Sequence, residues 1–131
     1  MLKNNKYLLD THVLLWWFAA DKQLGHSAKQ MIADANNQIF CSVASHWEMV
    51  IKQSLGKLRF PKKMFETLED GGIFIVPIEA RHVLELQDLP PIHKDPFDRM
   101  LIAQAQADNL TVITADANIQ KYQINTLEAS I

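Results

Sequence analysis

A single cysteine, a nearly balanced charge and the lack of any long apolar run each close off a class of protein before a motif is read. Cys41 stands alone within Ile39-Phe40-Cys41, which excludes a disulfide framework. An unpaired thiol there reads as a small buried hydrophobe suited to a reducing compartment. The net charge of −2 offers no basic blanket, so an anionic partner would have to be met by local cations or a bound metal. Lys3 and Lys6 precede an apolar stretch, but Asp10 and His12 interrupt it. What remains, residues 13–20, is too short for a bilayer span and ends without a secretory cleavage pattern, so a cytoplasmic protein with no membrane role is expected. Two-residue hairpin signals, internal repeats, linkers and low-complexity tracts are missing as well.

What is present is a core. Of 131 residues, 48% are hydrophobic and 21% charged, which suits one globular domain spanning 1–131 that needs neither disulfide nor structural metal to fold. The patterning predicts strands over 7–9, 39–41, 73–76 and 111–114, with a short last one over 124–127. Helices are predicted over 13–20 and over 28–35, the second capped by Ser27. A third opens at Ser42 or Ser45 and runs to Gly56, a fourth begins at Pro61 and ends at Gly71-Gly72, and a fifth covers 79–86. After a loop holding Pro90, Pro91 and Pro96, the clearest helix covers 97–107. Strands alternating with helices point to an α/β sandwich: a central parallel sheet of four to five strands, flanked by helices.

In such a sheet, ligands sit beyond the carboxyl ends of the strands. Four acids map to that edge. Asp10 ends the first strand, Glu48 is placed in the first turn after the second, Asp98 follows Asp95-Pro96 at the start of a helix, and Asp116 comes just after 111–114. Each also fits a helix cap: Ser45-His46-Trp47-Glu48 has capping-box spacing, and Asp95-Pro96-Phe97-Asp98 has a capping Asp with Pro at the first helical position. Caps alone would be scattered over both ends of the sheet, whereas these four share one. Converging carboxylates repel one another unless a cation lies among them, and oxygen ligands select Mg²⁺ or Mn²⁺.

The segments Leu8-Leu9-Asp10-Thr11-His12, Ser45-His46-Trp47-Glu48, Asp95-Pro96-Phe97-Asp98-Arg99 and Val112-Ile113-Thr114-Ala115-Asp116 resemble the PIN-domain ribonucleases, and within them VapC-type toxins of toxin–antitoxin pairs. The resemblance runs in order over nearly the whole chain. It implies a PIN-like three-layer sandwich, an acidic pocket for Mg²⁺ or Mn²⁺, endonucleolytic cleavage of RNA, a homodimer and a cognate antitoxin that blocks the pocket. Asp10, Glu48, Asp98 and Asp116 match the acidic quartet of the family. Thr114 and Asn118 match weaker polar positions beside it, and Asp95 assists them or only caps.

The chemistry implied is in-line attack of water on a phosphodiester, leaving a 5′-phosphate and a 3′-hydroxyl. Asp10 and Asp98 would hold the cation directly and Asp116 would complete its shell, with Glu48 ligating a second cation or orienting the water. Lys52, Lys94 and Arg99 are the candidate phosphate contacts, with Lys57, Arg59, Lys62 and Lys63 as a solvated face or a continuing track. The five histidines show no zinc spacing, and His12 is expected to pack or hydrogen-bond beside the site. Trp16, Trp17 and Phe18 cannot all face one core; two should pack, leaving the third for a groove that would take an antitoxin helix or a dimer partner. A receiver-type module would need paired acids after the first strand and a Lys after the last. An aspartyl phosphatase would need Asp-x-Asp, yet Asp10 is followed by Thr11 and His12. A PIN-like RNA-binding module without catalysis is the remaining rival.

Overall fold

The computed structural model describes residues 5–131, so Lys3 lies outside the described residues. Five strands, β1 (Lys6–Leu9), β2 (Gln38–Ser42), β3 (Phe74–Val76), β4 (Thr111–Thr114) and β5 (Thr126–Glu128), form one sheet in the order β3-β2-β1-β4-β5. Every pairing is parallel. The helices are α1 (Thr11–Ala19), α2 (His26–Ala33), α3 (Val43–Ser54), α4 (Met64–Asp70), α5 (Ala80–Leu86), α6 (Pro96–Asp108) and the single turn α7 (Ala117–Gln120).

Side chains of a strand alternate between faces, and here both faces are covered. Leu9, Ile39, Cys41 and Ile113 point to the layer built by α1, α2 and α4, where Val13, Leu14, Ala28, Ile32, Met64 and Leu68 close the core. Leu8 and Val112 point the other way, onto Leu101, Ile102 and Ala105 of α6. Helix α3 serves both layers, through Met49 on one side and Ala44 on the other. The architecture is therefore the expected three-layer α/β sandwich. Trp16 and Trp17 pack against the first cluster and Phe18 is exposed, so two of the three adjacent aromatics are inside.

Several local expectations shift. Ser27 does not cap α2; the helix starts at His26 with Gly25 as its cap. The Ala28 N–H donates instead to the Ile131 carbonyl at 3.0 Å, and a Cβ on Gly25 would run into the Ile131 backbone. A distant piece of chain has replaced the local cap. Ser42, not Ser45, caps α3 by accepting from the Ala44 N–H at 3.0 Å. The helix then ends at Ser54, and Gly56 takes the left-handed turn beyond it at φ +72°. Glu48 consequently lies in the second turn, not the first. Helix α4 starts at Met64, after a turn opened by Pro61, and β5 is displaced by two residues at its start from the predicted 124–127.

Candidate functional site

The two central strands set the position of two acids. Strand β1 ends at Leu9, and Asp10 turns the chain into α1 by accepting the Val13 N–H at 2.8 Å. Its neighbour β4 ends at Thr114, and Asp116 caps α7 by accepting the Asn118 N–H at 2.8 Å. Thr114, fully buried, links the two: its hydroxyl donates to Asp10 Oδ2 and accepts the Asp116 N–H at 2.9 Å. Both acids cap a helix and also stand at the carboxyl edge of the sheet, so the two roles do not compete.

Glu48 arrives from the other side. With Ser42 as the cap, Ser45 and Glu48 are free to face α1, where Thr11 donates to Glu48 Oε1 at 2.8 Å and lies 2.9 Å from the Ser45 hydroxyl. Lys52, one turn along α3, pairs with Glu48 Oε2 at 3.0 Å. Asp98 is supplied by α6. Asp95 caps that helix by accepting the Phe97 and Asp98 N–H groups, and Pro96 fills the first helical position where no donor is needed.

The loop before α6 brings in a side chain that spacing did not single out. His93 Nε2 lies 2.8 Å from Asp98 Oδ2 and 3.8 Å from Asp116 Oδ2. One ligand atom from each of His93, Asp98 and Asp116 falls within 4.8 Å of the others. Its only sequence signal was adjacency to Asp95-Pro96-Phe97-Asp98, since the loop that aims it is irregular. Arg99, expected at phosphate or at a carboxylate, donates to the Pro90 carbonyl at 3.0 Å and to Tyr122 Oη at 3.1 Å. Lys94 is exposed, as is His12, whose ring lies 6.2 Å from that of Trp16. Trp47 and Phe97, the residues just before Glu48 and Asp98, meet edge to face at 4.9 Å, with Trp47 largely exposed.

The electrostatics of the hollow are unbalanced. Asp10 is only 3% exposed. Burial pushes its carboxyl above the usual range, against the hydrogen bonds from Thr114 and Val13 and the nearby His12, and Asp116 pushes the same way as burial. Asp98 is pushed up to about 6, chiefly by burial and further by Asp95 and Glu48, while the hydrogen bond from His93 opposes the rise. Asp98 thus senses Glu48 and Asp10 senses Asp116, and His93, beside both Asp98 and Asp116, stands between the two pairs. Two cationic or potentially cationic side chains, Lys52 and His93, pair with them. Oxygen donors that are buried or half-buried and short of positive charge are a donor set for a hard divalent cation.

A family model, that of the PIN domain, matches residues 7–125. No curated protein sequence matches the chain. Among solved structures, the chain is similar to VapBC2 from Rickettsia felis bound to a DNA fragment from its promoter, with TM-score 0.69 and 15% identity over 92% of this chain and 96% of that one. It is similar to DNA-bound VapBC from Salmonella typhimurium, with TM-score 0.67 and 14% identity over 93% and 96%. It is also similar to a toxin–antitoxin complex from Klebsiella pneumoniae, with TM-score 0.65 and 19% identity over 94% and 97%. At these identities the likeness is one of fold.

Proposed function

The chain belongs to the PIN domain family, and from that premise we propose that it is a toxin-type endoribonuclease that hydrolyses RNA with Mg²⁺ or Mn²⁺ and is restrained by a cognate antitoxin. What supports the reading is a chain of contacts at the ends of the strands: Thr114 joins Asp10 to Asp116, His93 lies beside Asp116 and Asp98, and Thr11, next to Asp10 in the chain, bonds Glu48. The toxin–antitoxin complexes among the similar structures support an antitoxin partner. A homodimer and a cytoplasmic setting complete the reading. Among the described residues no helix is long and apolar enough to cross a membrane.

Asp10, Asp98 and Asp116 would hold the cation, which when bound lowers the pKa of water and stabilises charge developing on the phosphoryl group. Thr114 orients Asp10 and, through its accepting lone pair, the Asp116 backbone. Asn118 supplies the N–H that fixes the Asp116 carboxylate, and Asp95 holds the start of α6 so that Asp98 faces inward. Glu48, steadied by Thr11 and Lys52, keeps lone pairs with which to orient the attacking water. Arg99 is occupied by loop carbonyls, which leaves Lys94 and Lys52 to meet the RNA backbone at the rim.

Asp10→Asn preserves shape and removes a buried charge. Cleavage of a labelled RNA in Mg²⁺ should fall by on the order of a hundredfold or more, with the folded content of the circular dichroism spectrum unchanged. Undiminished cleavage by this variant would overturn the assignment.

A further inference from the structure

The proposed site has a support on its open side that the acidic residues do not explain. His93 lies in an irregular loop, where a side chain would ordinarily be poorly placed. Here its backbone N–H donates to Tyr122 Oη at 2.9 Å. Arg99 donates to the same phenol oxygen, to the Pro90 carbonyl at 3.0 Å and to the His93 carbonyl at 3.4 Å. Tyr122 is itself buried, anchored in the core on the α6 side of the sheet. The strut therefore runs from the core, through Tyr122 and Arg99, to the loop.

The ring it holds has a defined polarity. The Lys94 N–H donates to His93 Nδ1 at 3.2 Å, so in the neutral ring the proton resides on Nε2. That N–H points at Asp98 Oδ2 at 2.8 Å, with Asp116 Oδ2 beyond it at 3.8 Å. A protonated nitrogen has no lone pair for a metal. It can only donate, and by donating to one oxygen it sets the rotation of the carboxylate and leaves the other oxygen for a cation.

We infer that His93, held by the Arg99–Tyr122 strut, is a positioning residue that orients Asp98 for the cation by donating from Nε2, with Asp116 alongside at 3.8 Å. This deepens the proposed function and rests on it. Removing such an outer partner typically weakens metal binding by about 10–100-fold. In the full-length chain, His93→Leu should weaken Mn²⁺ binding, measured by calorimetry with the metal alone, within that range and slow RNA cleavage at limiting Mn²⁺. His93→Gln, which offers an N–H at similar reach, should restore most of the affinity. Tyr122→Phe should act in the same direction with a smaller effect. Nitrogen-15 spectra of the metal-free protein should show His93 protonated at Nε2. Wild-type Mn²⁺ affinity in His93→Leu, a Gln variant no better than Leu, an Nδ1-protonated ring, or a nitrogen directly coordinated in the Mn²⁺ electron paramagnetic spectrum would each overturn the inference. A wild-type protein that binds Mn²⁺ with these His93 effects but cuts no RNA would instead remove the nuclease reading and leave the positioning role standing.

Discussion

Helix α6 carries a histidine–aspartate pair at each end. At its carboxyl end, His82 Nε2 lies 2.9 Å from Asp108 Oδ2, and His82 Nδ1 accepts the Glu79 N–H at 3.0 Å. At its amino end, His93 Nε2 lies 2.8 Å from Asp98, and His93 Nδ1 accepts the Lys94 N–H. The ring polarity is the same in both. What differs is the third member. Arg81 bonds the other oxygen of Asp108, so that pair is charge-balanced where an acid at a helix carboxyl end would otherwise be unfavourable. Asp98 has Asp95, Glu48 and Asp116 around it instead. One set of residue types, in one local geometry, makes a brace where a cation is supplied by the chain and the proposed binding site where it is not.

The contrast can be broken from either end. The largest stability effect should come from the brace. His82 is fully buried, and His82→Ala would leave a cavity, strand the Glu79 N–H and leave Asp108 to Arg81 alone, at a cost of about 3 kcal/mol in urea denaturation. Mn²⁺ affinity per folded molecule should be unchanged; a loss there would mean that the two ends of α6 are not independent.

Next in size, and opposite in sign, is a matched pair of charge removals. Asp108→Asn should destabilise the metal-free protein by about 1 kcal/mol, because Arg81 loses its carboxylate. Asp98→Asn should stabilise it. The Asp98 carboxyl has an ordinary value of 3.8 and is raised to about 6 by folding, so its ionisation opposes the fold by at most about 3 kcal/mol. The opposition is complete above about pH 6 and fades as the pH falls through 6, vanishing below 3.8, where both states are protonated. The gain of Asp98→Asn over wild type should follow that window, and saturating Mg²⁺ should reverse the order of stabilities. Equal effects from the two substitutions would erase the distinction drawn between the pairs.

The smallest effect concerns Lys52, the one lysine paired to the quartet among the described residues. Lys52 is half-exposed, so Lys52→Met should change stability by less than about 0.5 kcal/mol. Its contribution to RNA would show in the salt dependence, where the slope of log affinity against log salt should shrink by about one. An unaltered slope would limit Lys52 to holding Glu48.

The legible parts of this chain are those whose cause is local. Tyr7-Leu8-Leu9 and Thr111-Val112-Ile113-Thr114 are apolar or β-branched runs that both faces of a parallel sheet require, and they are β1 and β4. Asp95-Pro96 announces the start of α6 because a capping carboxylate and a ring without an N–H suit that position and few others. The acids could be placed at one edge for the same reason, since strand ends follow from strand runs. Ser27 is not the cap its position suggests, the choice between Ser42 and Ser45 stays open in the sequence, and His93 has no pattern of its own, because their roles are decided at a distance. The carbonyl of Ile131 does the work expected of Ser27, Thr11 on another helix takes up Ser45, and Tyr122 and Arg99 aim His93.

By itself, then, the order of apolar runs and breaking residues determined an all-parallel layered fold and the edge at which its acids would gather, because strand periodicity and helix starts depend on neighbouring residues in the chain. Only the tertiary structure decided which carboxylates lie near one another, which of them lack a counter-charge and which imidazole bonds Asp98. Those properties depend on burial and on groups tens of residues apart, and no local pattern encodes the dielectric around a side chain or the partner across a gap.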